Sequence, residues 1–358
     1  MQPICDIVIP IWNQPELTGR CLESILAATL EPVRLILIDN GSEPPTRELL
    51  DRFCASSRVQ TTLIRNDVNL GFIKAVNQGI QAAQAPWICL LNNDTVVTQG
   101  WLTEMLKAAD RIPNVGLINP TSNSLGFRPG KMPLEEYAQN LRRFSGQTTE
   151  LTVALGFCLL AKKSVFDQVG LLDESFGMGY FEDDDLSRRV RRAGFTNVRA
   201  CGSYVYHEEK GSFRHLKDSN RSFDENRRLF EKKWGRRLRI LWTYYGPQLP
   251  GPFPEKTALR LLQEGHWITL MAPAGAVPSD LSSHAQLIWR QIDGSRWRLH
   301  ATWRLLTKRK KPFHMAISYD PVWSAWVQRL KLLHRAALQK NPSEEEILRQ
   351  CRELSHVS

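Results

Sequence analysis

The stretch WICLLNNDTVV, Trp87 to Val97, runs apolar, breaks into Asn92, Asn93 and Asp94, and turns apolar again. Strands covered by helices on both faces read as unbroken apolar runs, so this one belongs in a parallel sheet. Toward the amino terminus the same sign repeats in VQTTLIR from Val59, VRLILID from Val33 and DIVIP from Asp6. Amphipathic stretches follow each run: Glu16 to Ala28, Thr46 to Ala55, Ile73 to Gln84 and, after the quoted segment, Trp101 to Arg111. Four strand-then-helix units in succession specify an α/β fold, a Rossmann-like, mostly parallel sheet wrapped by helices. Open sheets of this kind bind ligands past the carboxyl ends of their strands. That places Asn13, Asp39, Asn66 to Asn69 and Asn92 to Asp94 on one rim.

Toward the carboxyl terminus the rhythm loosens. Pro120 to Pro133, rich in Gly, Pro, Ser and Asn, reads as a cap or lid, and Leu151 to Ala161 as a strand. A helix from Ser164 to Val169, a loop of glycines and aromatics from Phe176 to Phe181, an acid-opened helix from Glu182 to Ala193 and the segment Val205 to Ser212 follow. A helix carrying Leu229, Phe230 and Trp234 is expected to close a first domain, residues 1–243. GPQLPGPFPE, with four prolines and two glycines, marks 244–255 as a linker. Residues 256–358 form a basic module. In it Thr257 to Glu264 and Trp297 to Lys311 look helical, Gly265 suits a C′ position, and the runs from His266 and Phe313 look like strands.

The 358 residues are 42% hydrophobic and 23% charged, which excludes disordered and fibrous classes. The longest nearly unbroken apolar run, Leu151 to Ala161, falls short of the roughly 18 residues of a membrane span. With no basic n-region or cleavage-site pattern at the amino end, a cytoplasmic protein is expected. The net charge of +10 is unevenly spread. Residues 1–209 hold 20 Lys+Arg against 24 Asp+Glu, residues 210–250 hold 11 against 4, and residues 251–358 hold 16 against 9. With an acidic body and a basic back half, anionic surfaces or lipid head groups compete with nucleic acid as partners. Seven cysteines, no two closer than sixteen positions, form neither a zinc pattern nor a disulfide framework and read as buried thiols.

Three constellations carry chemistry. Asp94, at a strand end, is by itself an ordinary turn or cap residue; an Asn-x-Asp at that place also offers oxygen ligands to a hard cation that bridges phosphates. In YFEDDDLSRRVRRAGF, Tyr180 to Phe195, acids open a helix and Arg188, Arg189, Arg191 and Arg192 close it, as the macrodipole favours. One or two acids suffice for that, and four adjacent carboxylates, Glu182 to Asp185, raise the pKa of at least one, which suits a general base. In VYHEEKGSF, His207 follows a short β-like run.

In this order the segments resemble the family 2 glycosyltransferases of the GT-A fold, particularly the branch with rhamnosyl- and galactofuranosyltransferases. The resemblance covers about residues 4–240 through IVIPIWNQPEL, LILIDNGS, NLGFIKAVNQGI, LLNNDTVV, GLLDESFGMGYFEDDDLSRRVRRAGF and the trailing VYH. It implies an inverting transfer of a hexosyl or deoxyhexosyl group from a TDP-, UDP- or GDP-sugar to a hydroxyl of a surface-glycan acceptor, lipid-linked in kind. Pro10, Asn13 and Asp39 would lie by base and ribose, and Gly71, Lys74 and Asn77 by the pyrophosphate, with Asn92 and Asn93 beside them. Asp94 resembles the residue of the DxD motif that holds Mg2+ or Mn2+; the motif's first acid is replaced by Asn92. His207 matches a further metal ligand of some relatives. Asp183 would be the catalytic base, with Glu182 and Asp185 as alternatives, and Tyr180 and Phe181 would face the acceptor. The implied setting is polysaccharide biosynthesis for the cell envelope, at the inner face of the plasma membrane.

TALRLLQEGHWITLMAPAG and LLTKRKKPFHMAISYDP are similar to the acceptor-side half of a GT-B glycosyltransferase. The nucleotide-binding half is missing, so the module reads as a small Rossmann-like unit without its own transfer activity, or as a helical appendage. Two other functions compete. A sugar-nucleotide nucleotidyltransferase needs a glycine-rich, arginine-bearing loop where IWNQPEL stands. A non-catalytic anionic-surface-binding protein is suggested by Lys308 to Lys311 and the basic segment Lys210 to Arg239. No recognised nucleic-acid motif accompanies them.

Overall fold

The computed structural model describes residues 2–209, 219–245, 249, 251–273, 276, 286–292, 294, 296–307, 311–331 and 333–356. Residues 210–212 of the Val205 segment, 246–248 and 250 of the expected linker and 308–310 of the basic cluster lie outside them. The chain divides into two compact units, 1–227 and 228–358.

In the first unit, β1 (Cys5–Ile11), β2 (Val33–Asn40), β3 (Gln60–Asn66) and β4 (Trp87–Leu91) alternate with α1 (Pro15–Ala28), α2 (Pro44–Ser56), α3 (Phe72–Ala82) and α4 (Trp101–Asp110), matching the four expected pairs. They order β3-β2-β1-β4, all parallel. Beyond β4 the sheet mixes. Described strands β5 (Thr95–Val97), β6 (Val115–Thr121), β7 (Thr148–Glu150), β8 (Cys158–Lys162) and β9 (Thr196–His207) continue it as β8-β6-β9-β5, with β7 also on β9. β8 is antiparallel to β4, and β6 runs parallel to β9. Between them come α5 (Leu134–Leu141), α6 (Lys163–Val169) and α7 (Glu182–Arg192).

Alternate side chains of β1 and β2, among them Ile7, Ile9, Leu35 and Leu37, pack with Cys21, Leu22 and Trp101 in one buried core. On the other face α3 lies against β1 so closely that a Cβ on Gly79 would stand 2.1 Å from Val8 Cγ1. At the amino ends of the strands, fully buried Asp6 accepts two hydrogen bonds from Arg34, at 2.8 and 2.6 Å, and two more from the Gln84 and Ala85 amides. These four hydrogen bonds offset the cost of burying the Asp6 carboxylate.

The strand expected over Leu151 to Ala161 is confined to Cys158–Lys162. Asn119 pins the preceding residues as a loop: its amide nitrogen donates to Leu155 O at 2.8 Å and Cys158 O at 2.6 Å, and its oxygen accepts from Leu155 N at 2.7 Å. That loop presents Gly156 to the acid-opened helix.

The second unit has its own sheet, β12 (Leu287–Gln291), β11 (Trp267–Ala272), β10 (Arg239–Thr243), β13 (Met315–Ser318) and β14 (Ala337–Lys340) in that spatial order, every neighbouring pair parallel. It is an α/β module, not a helical appendage. Ile240, Trp242, Ile268 and Ile317 face α9 (Glu255–Gln263) and the helix Glu344–Ser355. Leu241, Met271 and Ala316 face the helices Trp297–Thr307 and Pro321–Arg329. The expected boundary at 243/244 is therefore displaced. Residues 239–243 are the central strand of the second sheet, and α8 (Ser219–Trp234) crosses the division at 227/228. Residues 244–255 connect β10 to α9 within one unit: Phe253 packs on Trp242 and Tyr244 at 5.3 and 5.2 Å between ring centres.

Candidate active site

A cleft of about 480 Å³ opens past the carboxyl ends of β1, β2 and β4, and the described residues that line it belong to the first unit. Pro10, Ile11 and Trp12 come from β1 and its exit, Asn40 from the end of β2, and Asn92, Asn93 and Asp94 from the end of β4. This is the rim that the strand-helix pattern specified.

On one wall, Asp94 Oδ1 lies 3.1 Å from His207 Nε2. Antiparallel pairing of β5 with β9 sets that distance, since Thr95 is registered opposite His207. The imidazole is fixed from behind. Ser124 Oγ donates to Glu209 at 2.8 Å and meets His207 Nδ1 at 2.9 Å, so Nδ1 is the donor of that second bond. In the neutral ring this leaves the Nε2 lone pair facing Asp94, the tautomer in which a metal-binding histidine is held by an outer partner. Phe157 stacks on the imidazole at 5.1 Å, and Asn123 clamps the backbone of His207 through two hydrogen bonds of 2.7 and 2.9 Å. Nearby, buried Asn92 Oδ1 has no hydrogen-bond partner. Among the described residues there is no group of three or more His, Cys, Asp or Glu side chains arranged to hold a metal. An oxygen and a nitrogen ligand beside an orphaned buried oxygen fit a divalent cation whose remaining ligands come from a diphosphate and water.

The opposite wall is the first turn of α7. Its four acids divide. Glu182 and Asp183 line the cleft. Buried Asp185 turns back to Arg189 Nε at 2.7 Å, and Arg189 also caps Val169 O and Leu171 O. Asp185 is thereby removed as a candidate base. Burial, with Asp183 and Asp184 close by, pushes Glu182 up to about 8. Burial and Asp184 push Asp183 up to about 6, against hydrogen bonds from the backbone amides of Asp184, at 2.8 Å, and Gly156, at 3.4 Å. A carboxylate tuned toward neutrality at a cleft wall has the affinity for a proton that a general base needs.

Tyr180 and Phe181 do not line the cleft. Both adopt φ of 72°, and their rings pack on Phe223 of α8 at 5.5 and 5.2 Å. Two successive left-handed non-glycine residues before the acid pair are backbone strain, held in place by Asn226, which donates to Phe176 O and Gly179 O at 2.6 Å.

Of the residues expected to bind the donor, Pro10, Asn92 and Asn93 line the cleft, and Asn13, Asp39, Gly71, Lys74 and Asn77 do not. Asn13 is occupied in the turn after β1, where its Oδ1 accepts from Glu43 N at 2.8 Å. Asp39 is buried beside the cleft residue Asn40; one oxygen accepts from Ser42 N at 3.0 Å, and the other has no hydrogen-bond partner and lies 3.6 Å from Arg65. Gly71, φ 88°, gives close backbone approach to the Gly177–Met178 loop, because a Cβ there would stand 3.0 Å from Met178 Sδ. Asn77 is a structural clamp: its amide exchanges hydrogen bonds of 2.9 and 3.0 Å with the Leu172 backbone. Lys74 is exposed. Sequence reasoning missed Trp12, Ser124, Phe157, Met178 and Glu209, which also line the cleft. Ser124 fell inside the noted Pro120 to Pro133 stretch, and Glu209 stands two places after the singled-out His207.

Residues 6–170 match the family model for Glycosyl transferase family 2. The chain is 28% identical over 234 residues to the uncharacterized protein y4gI of Sinorhizobium fredii, covering 60% of this chain and 25% of that one. It is 29% identical over 245 residues to the N-acetylglucosaminyl-diphospho-decaprenol L-rhamnosyltransferase of Mycobacterium tuberculosis, covering 59% of this chain and 78% of that enzyme. The crystal structure of GalNAc-T7 with UDP, GalNAc and Mn2+ superposes with a TM-score of 0.51 at 16% identity, covering 64% of this chain and 48% of that one. The chain thus spans a quarter of the Sinorhizobium protein and about half of GalNAc-T7. The amino-terminal unit thus carries a glycosyl transferase family 2 domain over residues 6–170, and its fold is like that of a solved glycosyltransferase.

Proposed function

We propose that this enzyme is an inverting glycosyltransferase that moves a hexosyl or deoxyhexosyl group from a nucleoside-diphosphate sugar to a hydroxyl of a lipid-linked surface-glycan acceptor. The observation that carries the reading is the pairing, in one cleft, of Asp94 and His207 with Glu182 and Asp183. Asp183 takes the proton of the acceptor hydroxyl as that oxygen bonds to the anomeric carbon. The bond from that carbon to the diphosphate oxygen breaks on the far side, and the nucleoside diphosphate leaves with the electron pair. Glu182, raised to about 8, holds its proton near neutrality and so spares Asp183 a second adjacent negative charge. Asp94 and His207 would hold Mg2+ or Mn2+, which supplies positive charge for the leaving diphosphate. Asp39 keeps a buried oxygen for base or ribose, and Lys74 offers an exposed cation at the start of α3 for the phosphates.

The mycobacterial relative's name supports a polyprenyl-linked acceptor, and the ligands named with GalNAc-T7 support a nucleotide donor and a divalent metal. Such a reaction belongs in the cytoplasm, at the inner face of the plasma membrane. Replacing Asp183 by Asn tests the assignment. Donor turnover is expected to fall roughly 10²–10⁴-fold with nucleotide affinity unchanged; turnover that survives, or affinity lost with it, would remove Asp183 from the base position.

A further inference from the structure

We propose that the carboxyl-terminal unit docks on an anionic lipid bilayer through the sheet face carrying the helices Trp297–Thr307 and Pro321–Arg329. Each helix buries one stripe against the sheet: Trp297, Ala301 and Leu305 in the first, Trp323 and Val327 in the second. Trp323 Nε1 donates to Thr302 Oγ1 at 3.0 Å, so the two helices lie side by side. Each then presents a second apolar stripe at i, i+4 spacing to solvent. Leu299 and Trp303 are 60% and 59% exposed, and Val322 and Trp326 are 60% and 40% exposed. A helix on a sheet needs one apolar stripe; two parallel outer stripes ending in tryptophan need a second apolar partner.

Charge identifies that partner. The helices Trp297–Thr307 and Pro321–Arg329 hold Arg298, Arg304 and Arg329 and no acid, with Asp320 just before the second. Asp320 is buried and bound by Arg298 at 2.8 Å, so it offsets none of the remaining charge. The helices on the other face differ: residues 255–264 and 344–355 together hold four Lys+Arg and six Asp+Glu. The helices of one face thus carry exposed tryptophan and leucine with net positive charge, and those of the other carry net negative charge. Tryptophan has an apolar body and one N–H, which suits the head-group level of a bilayer, and arginines beside it attract anionic lipid. No helix among the described residues is long and apolar enough to cross a membrane, so the contact lies on the surface.

The docking does not depend on the transfer reaction and is read with no sugar donor present. The full chain is sedimented with phosphatidylcholine vesicles, with and without phosphatidylglycerol, and its mass is measured without lipid. Binding is expected only to phosphatidylglycerol vesicles, falling roughly tenfold in Trp303→Ser/Trp326→Ser and also in the pair Arg304→Gln/Arg329→Gln. The arginine pair keeps the test readable if the tryptophan pair fails to fold. Equal binding to both vesicle types, undiminished binding by both variants, or a dimer that the tryptophan substitutions dissolve would overturn the proposal, the last by assigning the face to a second copy.

Discussion

Asp183 and Asp185 stand two positions apart in one run of acids, yet one faces the cleft and the other a half-buried arginine. A helix turns 100° per residue, so a run of four acids cannot share one environment. The sequence showed the crowding but left three candidate bases; the division came from Arg189, whose reach to Val169 and Leu171 is a long-range contact that no spacing encodes. Asp94 and His207 were legible from strand ends, but the relay from Glu209 through Ser124 joins segments 85 positions apart. The tuning of the acid pair has a pH signature. Activity in kcat/KM is expected to rise as Asp183 loses its proton near pH 6. Asp184→Asn removes a neighbouring charge that raises Asp183, so the limb is expected to move to lower pH; an unmoved limb would contradict the assignment. Stability runs the other way. Folded values raised from 3.8 and 4.5 to about 6 and 8 mean that the native state holds these protons more tightly than the unfolded chain. Their contribution is full below the ordinary carboxylate range and is lost as pH rises through about 6 and 8.

At the scale of elements, β1 to β4 and their helices were readable because each is an apolar run followed by a 3.6-residue period and both signals agree. β9 was not: TNVRACGSYVYH mixes polar and small residues because the strand pairs with β6, β7 and β5 along different parts of its length. β10 was misassigned because RILWT follows a basic helix with no break in composition; its parallel partners, β11 and β13, lie much later in the chain. α3 packs tightly on β1, where Gly79 leaves no room for a methyl group against Val8. Gly79→Ala is expected to destabilise the first unit by about 1–3 kcal/mol, read as a lower denaturant midpoint. An unchanged midpoint would show that α3 can lift from the sheet without cost.

The whole molecule is two units, each with its own sheet and buried core residues, and of opposite charge. Residues 1–227 hold 25 Lys+Arg against 27 Asp+Glu, and residues 228–358 hold 22 against 10. The net +10 therefore belongs to the second unit, while the cleft and its acids belong to the first. The most direct measurement of the central claim, that the first unit's cleft is a metal-assisted nucleotide-sugar donor site, is calorimetry of the full chain with UDP, TDP or GDP, with and without Mn2+. Two units are expected to give two transitions, and Gly79→Ala, by lowering one, identifies the first unit's. One of the nucleotides with Mn2+ is expected to raise that transition alone, by about 2.7 kcal/mol of stabilisation at a hundredfold excess over Kd. A first-unit transition unmoved by every nucleotide with Mn2+, or a rise confined to the second unit, would contradict the account.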